Sequence, residues 1–379
     1  MVGPFEFATA TRIVFGPGTI QSLASLAEPL GARALVVTGA NSSRAASALA
    51  GFEASYFSLT GEPTLAMVRE GVKAARGCQF VIGFGGGSAM DAAKAIAALA
   101  PNSGEPLDYL EVIGQGRPLE HAPLPFLMVP TTAGTGAEVT RNAVLGSPEH
   151  RVKASLRSPL LVAKVALIDP DLTLDAPAAI TASTGLDTLT QLIEPFVSCR
   201  ANALTDVFCL EGLRLAADTL PKVFRNGRDR DARTAMAFAS LLSGLSLSNA
   251  GLGIVHGFAG PLGGLLKAPH GALCAAVLPH GMAANIRALR ERAPNHDALD
   301  KYRRIAQLLT GDSQAEPEDA VRYVSNLCQS LGISSLRVYG LEPSGISDLV
   351  AKVAGASSTK ANPIQLARSE LVEIAERAL

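Results

Sequence analysis

Asp187 and Gln191 stand four residues apart in a stretch of helical character, so their side chains share one helix face. His256 and His270 are fourteen residues apart. On one unbroken helix they would be separated by ~21 Å along the axis, too far to meet a common ion. Pro261, the pair Gly263-Gly264 and Pro269 lie between them, so two helices can bring them together instead. Two histidines and one carboxylate in an apolar setting leave the open position that a catalytic divalent metal requires. The same spacing also suits two satisfied core histidines, with Asp187 as a cap or a buried hydrogen-bond acceptor. His280 is expected to cap a following helix, and His121, His150 and His296, in polar surroundings, to face solvent.

A second kind of chemistry is offered by backbone. Gly85-Gly86-Gly87-Ser88 follows the apolar run Phe80–Phe84 and precedes a helical pattern from Asp91. Glycines let a ligand approach the main chain, and a helix start presents free N–H groups at its positive end, which suits a phosphate. The six-residue dinucleotide fingerprint is not completed, because Ser88 stands where its next glycine belongs. A tight turn without a ligand has the same composition. Pro130-Thr131-Thr132-Ala133-Gly134-Thr135-Gly136 supplies a second such loop after Phe126–Val129. Two loops of this kind at the carboxyl ends of strands point to a nucleotide crevice, with the hydroxyls of Thr131, Thr132 and Thr135 on the same ligand.

These groups must be positioned by two different architectures. Up to about Pro170, β-branched runs (Ala34–Thr38, Phe80–Phe84, Phe126–Val129, Val165–Ile168) alternate with Ala-rich helical stretches, which predicts a mostly parallel sheet covered by helices. After Pro177 strand runs stop and helices are expected over 181–197, 204–220, 232–248, 281–292, 299–309, 317–331 and 363–379. The expected division is an α/β domain over 1–174 and an all-α domain over 175–379. The mixed-charge stretch Arg225–Arg233 reads as a solvated loop. From Thr234 to Leu266 no charged side chain occurs, but serines and glycines lace the run, which reads as buried helices followed by a broken segment rather than a membrane span.

With 379 residues, 33 Lys plus Arg against 34 Asp plus Glu, and 48% hydrophobic residues, the chain can bury a large core and lacks the basic surplus of a nucleic-acid binder. The segment Met1–Gly16 has no signal-peptide profile. Five cysteines, odd in number and without a CxxC, are expected to be buried free thiols in a reducing cytoplasm.

The segments GGGSAMDAAKAIA (85–97), PTTAGTGAEVT (130–140), STGLDTLTQLIEPFVS (183–198) and HGFAGPLGGLLKAPHG (256–271), with Lys153 and the tail 360–379, resemble the iron-containing alcohol dehydrogenase family from about residue 10 onward. The resemblance implies a dinucleotide-binding α/β domain followed by an all-helical one, the dehydroquinate synthase-like architecture. It places Gly86, Gly87, Ser88 and Asp91 at the pyrophosphate, and Thr131, Thr132, Thr135 and Lys153 along the rest of the nucleotide. Asp187, His256 and His270 match three metal ligands and become the catalytic set, for Fe2+ or Zn2+. Gln191 occupies the fourth metal position, where the family usually has His, and an amide oxygen is a weaker donor. Gly260 replaces a further family histidine near the substrate.

The activity so implied is metal-dependent, NAD(P)-linked interconversion of a small-molecule alcohol and its aldehyde or ketone. The alternatives are a maleylacetate-reductase-like reductase of an acidic carbonyl, a dehydroquinate-synthase-type lyase, or a nucleotide-binding protein without catalysis. Many NAD-using relatives resemble one another in carrying Asp just after the second strand. Here Gly39 is followed by Ala40-Asn41-Ser42-Ser43-Arg44, with no carboxylate until Glu53, so Gly39, Asn41 and Ser42 are expected to admit the 2′-phosphate of NADP as well as NAD. Relatives imply a homo-oligomer, a dimer in the first instance, with neither nucleic acid nor membrane as partner.

Overall fold

The computed structural model describes residues 2–379, which fall into two compact units. The α/β unit comprises Ala8–Thr132 and Gly136–Asp175. In chain order its regular elements are β1 (Ile13–Phe15), α1 (Leu23–Ala27), β2 (Ala34–Thr38), α2 (Ser43–Ala48), β3 (Ala54–Ser58), α3 (Leu65–Ala74), β4 (Phe80–Gly85), α4 (Gly87–Leu99), β5 (Phe126–Pro130), β6 (Asn142–Ser147), β7 (Val152–Arg157) and β8 (Val165–Ile168).

Six strands form one parallel sheet in the order β1-β8-β5-β4-β2-β3, and β6 pairs with β7 as a separate antiparallel hairpin. Central strands are buried on both faces, which is why β2, β4, β5 and β8 read as unbroken apolar runs. Alternate residues (Ala34, Val36, Phe80, Ile82, Leu127, Val129, Leu167) pack against Leu23 and Ala27 of α1, Ala45 of α2 and Leu49 just after it. The opposite face meets α4: a Cβ on Gly83 would stand 2.9 Å from Ala93 Cβ. β1, β3 and the β6–β7 hairpin were not expected from the sequence. The first two are edge strands with exposed positions, and in the hairpin β6 alternates half-buried and buried side chains.

The helical unit comprises Ala176–Leu379 with Ala133–Thr135 and the residues up to Phe7. It is built from α5 (Ala178–Val197), α6 (Ala203–Arg225), α7 (Arg230–Ala250), α8 (Ile254–Leu265), α9 (His270–Arg292), α10 (Ala298–Thr310), α11 (Pro317–Ser330), α12 (Ile346–Ala354) and α13 (Arg368–Arg377). The short return of the chain at Ala133–Thr135 is anchored there because Thr188 Oγ1 donates to Gly134 O at 3.1 Å. Phe7 packs on Phe208 with ring centroids 5.7 Å apart.

Three local expectations change. His280 does not cap a helix: α9 begins ten residues earlier, at His270, and runs through Pro279. Arg233 is not in a solvated loop; it lies buried in α7, where its guanidinium donates to Gly227 O, Thr181 Oγ1 and Ala176 O. The last helix covers only 368–377 of the expected 363–379. The uncharged run is α7 and α8, which meet at a 100° bend. Among the described residues α9 alone is by itself long and apolar enough to cross a membrane, and 78% of its apolar window is buried inside the molecule, as in a core helix. His121, His150 and His296 are exposed as expected.

Candidate active site

In the helical unit four ligating side chains converge. Asp187 comes from the middle of α5, His256 from the first turn of α8, and His270 and Cys274 from the first turn and a half of α9; their donor atoms all lie within 4.8 Å of one another. His256 Nε2 and His270 Nε2 stand 3.5 Å and 3.9 Å from Asp187 Oδ1. Cys274 Sγ is 3.8 Å from His256 Nε2 and 3.7 Å from His270 Nε2.

Local sequence explains the convergence. Pro269 ends the irregular link after α8 and serves as the residue before α9, so His270 opens the helix and Cys274, four residues on, shares its face. Gly271 lets α9 start hard against α5: a Cβ there would lie 2.0 Å from Ser183 O. The start of α8 is capped from afar. Glu194 Oε1 accepts the Val255 N–H at 2.6 Å, and Asn362 Oδ1 accepts the Ile254 N–H at 3.0 Å. Glu194 Oε2 also lies 2.6 Å from His256 Nδ1, which orients the ring so that Nε2 faces Asp187.

Asp187 Oδ1 is buried and has no hydrogen-bond partner. Such an atom is costly unless a cation or donor meets it. Burial works against the Asp187 carboxylate, but the neighbouring His256 and His270 imidazoles outweigh it and hold its pKa below the usual value. Burial likewise opposes the charged histidines, yet Cys274 and Asp187 raise both, and with Glu194 beside it His256 rises well above an ordinary imidazole. The Cys274 thiol would be raised by burial, but the two imidazoles bring it down. Cys209 and Cys328, buried without such neighbours, are pushed up to about 12. A carboxylate with a bare oxygen, two imidazoles and an easily ionised thiol fit a divalent metal ion.

Gln191 is buried one helix turn after Asp187 on α5. Its Oε1 lies 3.2 Å from Ser243 Oγ, whose hydroxyl also reaches Ser240 O at 2.8 Å, and its side chain neighbours the Asp187 carboxylate. The cysteines do not all behave as expected: Cys78 is half-buried, Cys199 is exposed, and Cys274 joins the cluster. Cys274 and Glu194 were missed in the sequence. The signals available were the four-residue spacing after His270 and a lone acid in an apolar helix.

In the α/β unit the chain leaves β2 for β3 on one side and β4 for β5 on the other, so the carboxyl ends of β2 and β4 form a topological switch point. Gly39 and Gly85 meet there; a Cβ on Gly85 would be 3.5 Å from Gly39 N. Gly86 precedes α4, and the N–H groups of Gly87 and Ser88 in its first turn have no partner within the helix. Thr132 lies beside Gly86, with Thr132 Oγ1 3.4 Å from where a Gly86 Cβ would be, and Thr131 N donates to Gly85 O at 2.9 Å. Thr135 groups with the helical unit. Ser88 Oγ donates to Glu62 Oε2 at 3.2 Å, and Lys153 Nζ pairs with Glu62 Oε1 at 3.1 Å, so Glu62, not singled out in the sequence, organises two expected cofactor residues. Asp91 pairs with the buried Lys94 at 3.1 Å. Asn41 Oδ1 accepts the Ser43 N–H at 2.9 Å, Ser42 is half-buried, and Arg44 Nη2 donates to Leu172 O at 2.7 Å.

Comparison with known proteins shows the family. Residues 10–170 match the family model described as iron-containing alcohol dehydrogenase, and residues 181–379 match that of the Fe-containing alcohol dehydrogenase family, C-terminal. The chain belongs to the iron-containing alcohol dehydrogenase family. Like its relatives there, it is an oxidoreductase acting on CH–OH groups. Alcohol dehydrogenase 4 of Saccharomyces cerevisiae is 35% identical over 83% of this chain and 80% of its own length. The NAD-dependent methanol dehydrogenase of Bacillus methanolicus is 31% identical over 97% of each. A crystal structure of 1,3-propanediol oxidoreductase superposes with a TM-score of 0.90, 31% identity and full coverage of both chains. The two-unit architecture expected from the sequence is thus that of this alcohol dehydrogenase family.

Proposed function

We propose that the chain is a metal-dependent, NAD(P)-linked alcohol dehydrogenase, or aldehyde reductase in the reverse direction, with Asp187, His256 and His270 as its metal-binding catalytic set. The observation that carries this reading is the bare, buried Asp187 Oδ1 facing two imidazoles, an arrangement in need of a cation. Fe2+ or Zn2+ held there supplies a Lewis acid that lowers the pKa of an alcohol oxygen. Asp187 offers its charge to that ion, and Glu194 keeps the His256 proton on Nδ1, leaving Nε2 as donor. Gly260, inside α8, provides no group for proton transfer.

The nucleotide is assigned to the α/β unit, with its pyrophosphate at Gly86, Gly87 and Ser88, and Asp91 behind them. Thr131, Thr132 and Lys153 complete the binding set in this unit, whereas Thr135, expected beside them, groups with the helical unit. NAD is supported by the named cofactor of the methanol dehydrogenase relative. The absence of a carboxylate from Gly39 through Arg44 in the sequence supports NADP beside it, with Gly39, Asn41 and Ser42 at the ribose. The near balance of charge supports a small-molecule alcohol or aldehyde as partner. A cytoplasmic homodimer belongs to the same proposal.

The test is turnover. Chelated protein reloaded with Fe2+ or Zn2+ is offered a panel of alcohols with NAD+ and NADP+, and NAD(P)H absorbance is followed. Net reduction dependent on the metal is expected. No net reduction with any alcohol under either metal, in protein that retains the ion, overturns the reading in favour of a lyase or a non-catalytic nucleotide binder.

A further inference from the structure

Cys274 has no task in the reading above, and its surroundings give it one. It is fully buried on α9, one turn after His270 and on the same helix face, with its sulfur within 4 Å of both imidazole Nε2 atoms. The unpartnered Asp187 Oδ1 belongs to the same group of donors. Gln191, one turn after Asp187, has its oxygen 3.2 Å from Ser243 Oγ, and its side chain neighbours the carboxylate. A neutral amide oxygen is a weak donor, whereas a sulfur facing two ring nitrogens with no backbone partner is placed to serve.

We infer that Cys274, in place of Gln191, supplies the fourth protein ligand, making an Asp–His–His–Cys centre that favours Zn2+ over Fe2+. Loading releases the thiol proton to solvent and leaves a thiolate on the ion, with no change of oxidation state. A soft thiolate replaces a neutral oxygen donor, and thiolate ligation shifts selectivity towards zinc. Gln191 becomes a positioning residue that orients Asp187. The inference rests on the proposed metal-binding role of Asp187, His256 and His270, but not on the enzyme's turnover.

The decisive measurement uses the unaltered full chain loaded with Zn2+ and examined by X-ray absorption at the zinc edge. A sulfur shell of one atom near ~2.3 Å beside nitrogen and oxygen neighbours is expected. A shell of nitrogen and oxygen only overturns the inference and leaves the proposed function standing; failure of the reloaded protein to retain any metal overturns both. Co2+-loaded protein gives a second readout. Its sulfur-to-cobalt charge-transfer absorption should persist in Gln191→Leu and vanish in Cys274→Ser, while the visible cobalt bands remain. In Cys274→Ser the Zn2+ to Fe2+ affinity ratio, measured by competition with a chelator, should fall at least ~10-fold. An unchanged ratio with an unchanged cobalt spectrum counts against thiolate ligation.

Discussion

Each unit of this alcohol dehydrogenase buries one carboxylate with an oxygen that has no hydrogen-bond partner: Glu138 Oε2 in the α/β unit and Asp187 Oδ1 in the helical unit. Burial raises the Glu138 pKa to about 7, because only the Lys94 ammonium and a backbone contact offset it. The same burial acts on Asp187, yet its pKa falls, because two imidazoles surround it. The difference lies in the company each acid keeps. Glu138 relieves its situation by taking up a proton near neutrality. Asp187 stays ionised at the centre of a donor set, ready for a cation.

Four substitutions probe that contrast. Asp187→Asn removes the charge while keeping the shape, and should weaken metal binding by ~100-fold to ~1000-fold, about 3–4 kcal/mol, if one of four donors contributes about a quarter of a zinc site's affinity. Competitive chelation measures it; near-native retention would place the ion elsewhere.

Glu138→Gln tests the opposite case through stability. The folded-state pKa is raised from 4.5 to about 7, so Glu138 costs nothing below pH 4.5, where it is protonated in both states, and its penalty grows as pH rises through 7. The substitution should therefore stabilise the protein by on the order of 3 kcal/mol at pH 8 and have little effect below pH 4.5. Urea unfolding at the two pH values gives the comparison. A pH-independent effect would break the assigned role of the charge.

Glu194→Gln leaves an acceptor for His256 Nδ1 but removes its charge, and a loss of metal affinity of ~10-fold to 100-fold is expected with the fold intact. An unchanged affinity would show that the ring is held by packing alone. The smallest effect is expected at the backbone-built site. In Gly86→Ala the new Cβ meets only the Thr132 side chain at 3.4 Å, so the melting temperature should hold while cofactor KM rises ~10-fold, about 1.4 kcal/mol, as the main chain is shielded from the pyrophosphate. A fall in stability without a change in KM would remove Gly86 from the nucleotide site.

The sequence alone determined the parts of this protein whose physics is local. Ala34–Thr38 and Phe80–Phe84 are buried on both faces of a parallel sheet and therefore spell continuous apolar runs, and each was legible to within a residue. The glycine-rich turn at 85–88 was legible for the same reason, since its helix-start amides follow directly on its own strand. Edge strands such as β3, as long as β2 but without a fully buried position, carry no such signature. The metal centre lies at the other extreme. His256 and His270 stood out as residue types, but spacing alone favoured a core role, because whether they meet depends on the break between α8 and α9 and on how closely Gly271 lets α9 approach α5. That Cys274 faces the cluster while Gln191 turns to Ser243, and that Glu194 reaches across to cap α8, was decided only by tertiary packing. Local spacing sets which residues share a helix face, but the rotation of one packed helix against another selects which of them reach a common point.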